Sequence, residues 1–149
     1  MLSYAEYINH VLRPKATESE VVVDLFAGCG GLSLGFEAAG YQTIGYEMLA
    51  EACETYTRNL NGKCFRETLE RGFDCPQADI LIGGPPCQPF SRFGLGRQKG
   101  RDDKRDGFPI FIEAVRKIRP KIFLFQTLGI WAWELKKRLP VLISWKIRD

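Results

Sequence analysis

The run Val21-Val22-Val23-Asp24-Leu25-Phe26 leaves the chain little choice of local structure, because it is apolar and β-branched and passes straight into Ala27-Gly28-Cys29-Gly30-Gly31. A helical stretch over 32–39 follows and Gly40 closes it, so the spacing predicts strand, glycine turn, helix. Glycines at 28, 30 and 31 let the backbone approach a ligand closely, and the first turn of the next helix offers unpaired N–H groups to it. A turn of this kind is shared by many nucleotide-binding folds.

Residues 41–46 read as a second strand ending at Glu47, about twenty residues beyond the turn, where an acidic side chain can grip a ribose diol. On spacing alone a solvated glutamate capping the next helix fits equally well. That helix, over 48–60, puts Leu49, Ala52, Cys53, Tyr56 and Leu60 on one stripe, which makes Cys53 a core residue. Cys64-Phe65-Arg66 is a poor third strand, residues 71–77 read as a surface loop, and residues 78–82 make a convincing fourth strand.

That fourth strand must stop at Gly83-Gly84-Pro85-Pro86-Cys87-Gln88-Pro89-Phe90-Ser91, since the two prolines fix φ and offer no N–H to a ladder. Cys87 is thereby delivered at a strand's carboxyl end, where open parallel α/β sheets bind ligands, and it is the candidate nucleophile. The alternative for a lone cysteine is a small buried hydrophobe behind a proline-rich turn. After Ser91 comes a glycine-punctuated basic loop, with Arg92, Arg97, Lys99 and Arg101, which suits a lid attracted to phosphate. Residues 108–118 read as an amphipathic helix closed by Pro120, and residues 121–125 as a fifth strand. At the N-terminus, Ser3-Tyr4-Ala5-Glu6 has capping-box spacing for a short helix before Pro14, and His10 has no partner in any motif.

The alternation of strands and helices predicts an α/β fold built on a doubly wound, mostly parallel sheet. A chain of 149 residues, 45% hydrophobic, can bury one sizeable core. The net charge of +3 is only mildly basic, so its local clustering matters more than its total. Five cysteines form no CxxC pair and point to a reducing, intracellular setting, no metal-ligand cluster is present, and no run approaches the roughly eighteen apolar residues of a membrane span.

With both glycine-rich stretches in view, the chain resembles the DNA (cytosine-5)-methyltransferases. Their cofactor motif is similar to Asp24-Leu25-Phe26-Ala27-Gly28-Cys29-Gly30-Gly31 and their catalytic motif to Gly84-Pro85-Pro86-Cys87-Gln88-Pro89-Phe90-Ser91. The resemblance covers about 21–125 and implies the Rossmann-like fold of S-adenosylmethionine-dependent methyltransferases, cut short after about the fifth strand. It implies S-adenosylmethionine as methyl donor, with Phe26 against the adenine, Glu47 on the ribose hydroxyls, and Asp24 and the turn near the methionine moiety. Ala27, Gly28, Gly30, Gly31, Met48 and Pro86 complete the implied cofactor site. Cys87 is the implied nucleophile, adding to C6 of a cytosine flipped from the DNA duplex so that C5 can take a methyl group. Ser91, Arg92, Arg97, Lys99 and Arg101 are the implied DNA-facing residues.

Two departures stand out. Where the family's fifth strand ends in a catalytic glutamate, this chain has Gln126, and where the family places an adenine-contacting aspartate, it has Glu67-Thr68. The expected organisation is a lead with a short helix over 1–20, a partial catalytic domain over 21–128, and a tail over 129–149 that does not match the family and adds at most a helix over 133–139. The short lead leans toward a bacterial or phage modification enzyme, cytoplasmic, DNA-associated and monomeric. Thr127-Leu128-Gly129 also matches the family's Asn-Val-Arg-Gly read one base out of frame, so a frameshift is one expectation for the tail. Two other functions compete: a catalytically dead module that binds S-adenosylmethionine or a partner, and a dinucleotide-dependent oxidoreductase, which leaves the Pro-Pro-Cys stretch unexplained.

Overall fold

The computed structural model of the chain describes residues 3–14, 19–86 and 107–126. Cys87, Ser91, Arg92, Arg97, Lys99, Arg101 and the expected tail helix lie outside the described residues. In chain order the elements are α1 (Tyr4–Val11), β1 (Val21–Leu25), α2 (Gly31–Ala38), β2 (Gln42–Glu47), α3 (Ala50–Asn59), β3 (Lys63–Arg66), β4 (Ile80–Gly83), α4 (Phe108–Ile118) and β5 (Ile122–Phe125). The strands form one five-stranded sheet in the order β3-β2-β1-β4-β5, and every pairing among them is parallel. No helix among the described residues is long and apolar enough to cross a membrane.

Side chains alternate across the strands and so decide which helix covers which face. Val22, Ile80 and Ile82 point one way, against Leu32 and Phe36 of α2 and Tyr41. Val23, Leu25 and Leu81 point the other way, onto Phe111, Ile112, Val115 and Ile118 of α4. Tyr56 and Leu60 carry α3 onto the α2 side, beside Ala27. Helices on both faces are what an all-parallel sheet requires, since its strands are buried from both sides. β1 is the centre of the arrangement, with Val22, Val23 and Leu25 fully buried, each contributing roughly 1.5–3 kcal/mol by leaving water.

The ends of the elements follow local chemistry. Ser3 and Glu6 form the capping box that the spacing predicts for α1, the Glu6 N–H donating to Ser3 Oγ and the Ser3 N–H to Glu6 Oε2. α4 keeps its predicted bounds: Pro109 occupies its first turn, and Arg119 ends it in the left-handed region at φ 53°, just before Pro120. At the amino end of the sheet Asp79 accepts the Val21 N–H at 3.1 Å and pairs with Lys121 at 2.9 Å, tying β1, β4 and β5 together, and Lys121 holds its carboxyl below the usual range.

Two expectations are corrected. Residues 71–77 are not simply a surface loop: Cys75 is buried and Phe73 packs edge-on against Tyr46 at 5.0 Å, because the face of β2 beyond α4 needs an apolar cover. Leu49 does not join the core stripe of α3 but is exposed, since the helix starts one residue later and Leu49 caps it in extended backbone. The strand order reverses between β1 and β4, and in open α/β sheets the crevice beyond that point takes the ligand.

Phe111 is fully buried and fills the space between α4 and the sheet, touching Phe125 at 5.4 Å between ring centroids. Phe111→Ala is expected to cost about 3–5 kcal/mol in urea unfolding monitored by circular dichroism. A loss below about 1 kcal/mol would mean that α4 does not close that face.

Candidate functional site

At the carboxyl ends of β1, β2 and β4 the chain leaves two adjoining clefts that share Phe26 and Gly84. The larger, about 560 Å³, is lined by residues that include Phe26, Tyr46, Glu47, Met48, Pro86 and Ile110. The smaller, about 390 Å³, runs between Asp24, Ala27, Gly31, Leu32 and Gln126.

Phe26 turns the chain out of β1 with φ 62°, a left-handed conformation that a bulky side chain rarely adopts, and Gly28 and Gly30 follow at 56° and 85°. The end of β2 holds this strained turn: Ala27 N–H donates to the Tyr46 carbonyl at 3.0 Å, and Gly28 N–H to Glu47 Oε2 at 2.9 Å. Glu47 Oε1 accepts the Leu49 N–H at 2.9 Å, at the start of α3. Glu47 therefore braces both the glycine turn and Leu49, the residue that precedes α3, and also lines the larger cleft, with lone pairs left on each oxygen.

Asp24 lies on the α2 side of β1, 1% exposed, with Ser33 Oγ donating to its Oδ2 at 2.7 Å. Burial pushes its carboxyl up from 3.8 to about 6, against the pull of Ser33, and the nearby Glu47 carboxylate adds to the rise. No cationic side chain relieves it among the described residues. The smaller cleft thus ends in a buried carboxylate that a positively charged ligand group would stabilise.

The structure brings most of the sequence-predicted cofactor residues into one place. Asp24, Phe26, Ala27 and Gly31 line the smaller cleft, and Phe26, Glu47, Met48 and Pro86 the larger. Gly28 sits in the turn, hydrogen-bonded to Glu47. Gly30 lines neither cleft: a Cβ there would stand 2.6 Å from Tyr56 Cδ2, so its missing side chain makes room for α3 as well as for a positive φ. Pro86, the last described residue before Cys87, accepts the Gly107 N–H at 3.2 Å, which brings together the two ends of the span 87–106 beside the larger cleft.

The sequence reading passed over Gly107, Ile110 and Leu69. A Cβ on Gly107 would come within 2.8 Å of Pro85 and Pro86 and 2.9 Å of Phe26, and its one signal in the sequence is a glycine directly before the Phe108-Pro109 helix start. Glu67 and Thr68 also line the larger cleft, and Glu67 N–H donates to the Glu47 carbonyl at 2.9 Å. Gln126 ends β5, its N–H donating to the Gly83 carbonyl at 2.9 Å, and its side chain reaches the smaller cleft beside Gly84.

The family described as C-5 cytosine-specific DNA methylase matches residues 21–126. Type II methyltransferase M.AplI of Arthrospira platensis is 58% identical over 146 residues, covering 96% of this chain and 42% of the relative. M.DdeI of Desulfomicrobium norvegicum is 40% identical over 126 residues, covering 78% of this chain and 30% of the relative. The chain thus spans less than half the length of these relatives. A crystal structure of an S-adenosylmethionine-dependent methyltransferase from Agrobacterium tumefaciens shares the fold with a TM-score of 0.53 at 19% identity, over 89% of this chain and 46% of that one. S-adenosylmethionine is the cofactor of this family and fold. The strand order, the strained glycine turn and the match from β1 to the end of β5 together identify the chain as belonging to the C-5 cytosine-specific DNA methylase family.

Proposed function

We propose that the paired clefts hold S-adenosylmethionine and that the chain carries the cofactor-binding and nucleophile-bearing part of a DNA cytosine C5 methyltransferase. The observation that carries the reading is the buried Asp24 carboxylate, without a cationic partner among the described residues, in the smaller of two adjoining clefts, the larger of which offers an acidic group and an apolar wall. That distribution suits a molecule with an ammonium group at one end and a nucleoside at the other. When bound, S-adenosylmethionine supplies the electrophilic methyl group.

Each contact has a physical reason. Asp24 receives the ammonium, and the unpaired N–H groups at the start of α2 lie beside the methionine carboxylate. Glu47 keeps its bonds to Gly28 and Leu49 and accepts the ribose hydroxyls on its remaining lone pairs. Phe26 and Ile110 give the adenine an apolar setting, and Glu67 and Thr68 supply polar groups at the same wall in place of the family's aspartate. Met48 closes the rim.

Pro86 lines the larger cleft, and Cys87 directly follows it in the sequence. Its thiolate adds to C6 of a flipped cytosine and moves the ring electrons toward C5, and loss of the C5 proton after transfer expels the thiolate again. Ser91, Arg92, Arg97, Lys99 and Arg101 face the DNA phosphates in this reading. Activation of the ring also needs an acid at N3. Gln126 has an amide at that place and no carboxyl proton to give, which favours a second reading for the chain alone: cofactor binding with transfer slowed by roughly a hundred- to ten-thousandfold.

The nucleophile is tested by trapping. On prolonged incubation with S-adenosylmethionine and a duplex carrying 5-fluorocytosine, the chain is expected to give a denaturant-resistant complex and Cys87→Ser none. A complex that persists in the variant would overturn the assignment of Cys87.

The charge of Asp24 gives a pH-dependent test. Because its folded value of about 6 lies above the unfolded 3.8, its contribution to stability is present below pH 3.8 and is lost as pH rises through 6. Asp24→Asn is expected to stabilise the ligand-free chain by on the order of 1–3 kcal/mol at pH 8 while abolishing cofactor binding, the stability gain shrinking toward zero near pH 4. Equal unfolding midpoints for the two proteins at pH 8 would show that the carboxylate is not held at a cost.

A further inference from the structure

β5 is the outer strand of the sheet and, among the described residues, pairs with β4 alone. Ile122 and Gln126 donate their N–H groups to the carbonyls of Asp79 and Gly83 on the β4 side, and the ladder bonds of a parallel pair come from alternate residues. The N–H and C=O groups of Phe123 and Phe125 therefore face outward, away from β4.

The two faces of β5 have different cover. On one side Phe108 meets Phe125 at 5.2 Å and Phe111 meets Phe123 at 6.5 Å between ring centroids, so α4 closes that face. On the other, Ile122 and Leu124 lie in register with Ile80 and Ile82, which Leu32 and Phe36 of α2 help to bury, yet they are themselves 52% and 43% exposed. The opposite edge of the sheet shows a contrast. β3, Lys63-Cys64-Phe65-Arg66, has a charge at each end, the usual guard of an open edge, whereas β5, Ile122-Phe123-Leu124-Phe125, carries none.

The chain itself supplies a segment of matching chemistry. Residues 127–149 lie outside the described residues and follow Gln126, which ends β5. They hold all three tryptophans of the protein, Trp131, Trp133 and Trp145, and an apolar, β-branched run, Val141-Leu142-Ile143. The stretch 127–140 exceeds the dozen or so residues that a parallel return along β5 needs, and an antiparallel return needs only about two. A segment tethered to the strand also acts at an effective concentration in the millimolar range, well above that of a second copy in micromolar solution.

We propose that the outer edge and the exposed face of β5 form a docking surface for the chain's own residues 127–149, with the run 141–143 seated against Ile122 and Leu124 and shielding the outward groups of Phe123 and Phe125. This surface is separate from the clefts and does not depend on what they bind. Covering β5 also steadies the strand that carries Gln126 to the smaller cleft.

Every tryptophan lies in the segment, so indole emission reports the segment alone, and the amides of Phe123 and Phe125 report the edge. In the full chain at micromolar concentration, with the mass followed by light scattering, the protein is expected to be a monomer with the emission of buried indole. Its Phe123 and Phe125 amides are expected to exchange with deuterium at least about tenfold more slowly than in an unstructured peptide. Ile143→Asp is expected to move the emission to that of exposed indole and to speed both amides about tenfold, leaving the Leu124 amide, which faces β4, and the circular dichroism of the sheet unchanged. Exposed-indole emission in the native chain, amides exchanging at unstructured rates, or protection that Ile143→Asp leaves in place would each overturn the proposal. Protection that vanishes on dilution together with a dimer would give the surface to a second copy and overturn it as well. Should Ile143→Asp not fold, Leu124→Lys carries the same comparison from the strand side, with indole emission as the readout and the same outcomes.

Discussion

The turn that leaves β1 has to change direction within a few residues and still keep its backbone donors satisfied, and the end of β2 supplies what it needs. Tyr46 and Glu47 accept the N–H groups of Ala27 and Gly28, one through a carbonyl and the other through a carboxylate. Those two bonds offset the cost of a phenylalanine at φ 62°, a conformation that persists only where its surroundings over-determine it. From that fixed turn the start of α2 is set, and with it Ser33 and the buried end of the smaller cleft. The ring of Phe26 becomes the partition shared by both clefts. Glycine at 107 then lets the returning chain close against Phe26, Pro85 and Pro86.

Much of this was legible in the residues because the signals were local. The β-branched run of β1, the double proline after β4, and Pro109 with Pro120 around α4 each act through their own backbone, and the elements fall where those residues put them. Asp24, Phe26, Glu47 and Pro86 were likewise readable, as ends of strands beside glycine or proline. What was not legible came from distant segments meeting. Phe73 and Cys75 have no periodicity and read as loop, yet they cover Tyr46 because that side of β2 lies beyond the reach of α4. Leu49 continues an apolar stripe in sequence but precedes the first turn of α3, so it faces the cleft rim instead of the core. Gly107 and Ile110 gain their places only when the chain returns from the span that begins at Cys87. Gly30 reads as one glycine of a turn, but nothing local signals that its missing side chain also admits Tyr56 from α3.

Electrostatics and stability pull in opposite directions at Asp24. A carboxylate 1% exposed, with one hydroxyl against it and a second carboxylate nearby, raises the free energy of the ligand-free fold above about pH 6. Among the described residues no cation relieves it, and in the proposed reading the ammonium group of the ligand does. Glu37 shows the contrast: equally buried, it is satisfied by a threonine hydroxyl and two backbone donors and requires no ligand. Of the two buried carboxylates, Glu37 finds its partners within the fold, whereas Asp24 has Ser33 against it and lines the smaller cleft.

The central claim, that the two clefts form one S-adenosylmethionine site, is tested most directly by titrating the native chain with S-adenosylmethionine in a calorimeter at pH 8, alongside Glu47→Ala. The account predicts a one-to-one complex in the micromolar range, about −8 kcal/mol, weakened by roughly 1–3 kcal/mol when the Glu47 carboxylate is removed. Binding that is undetectable at millimolar ligand, or that Glu47→Ala leaves unchanged, would contradict it.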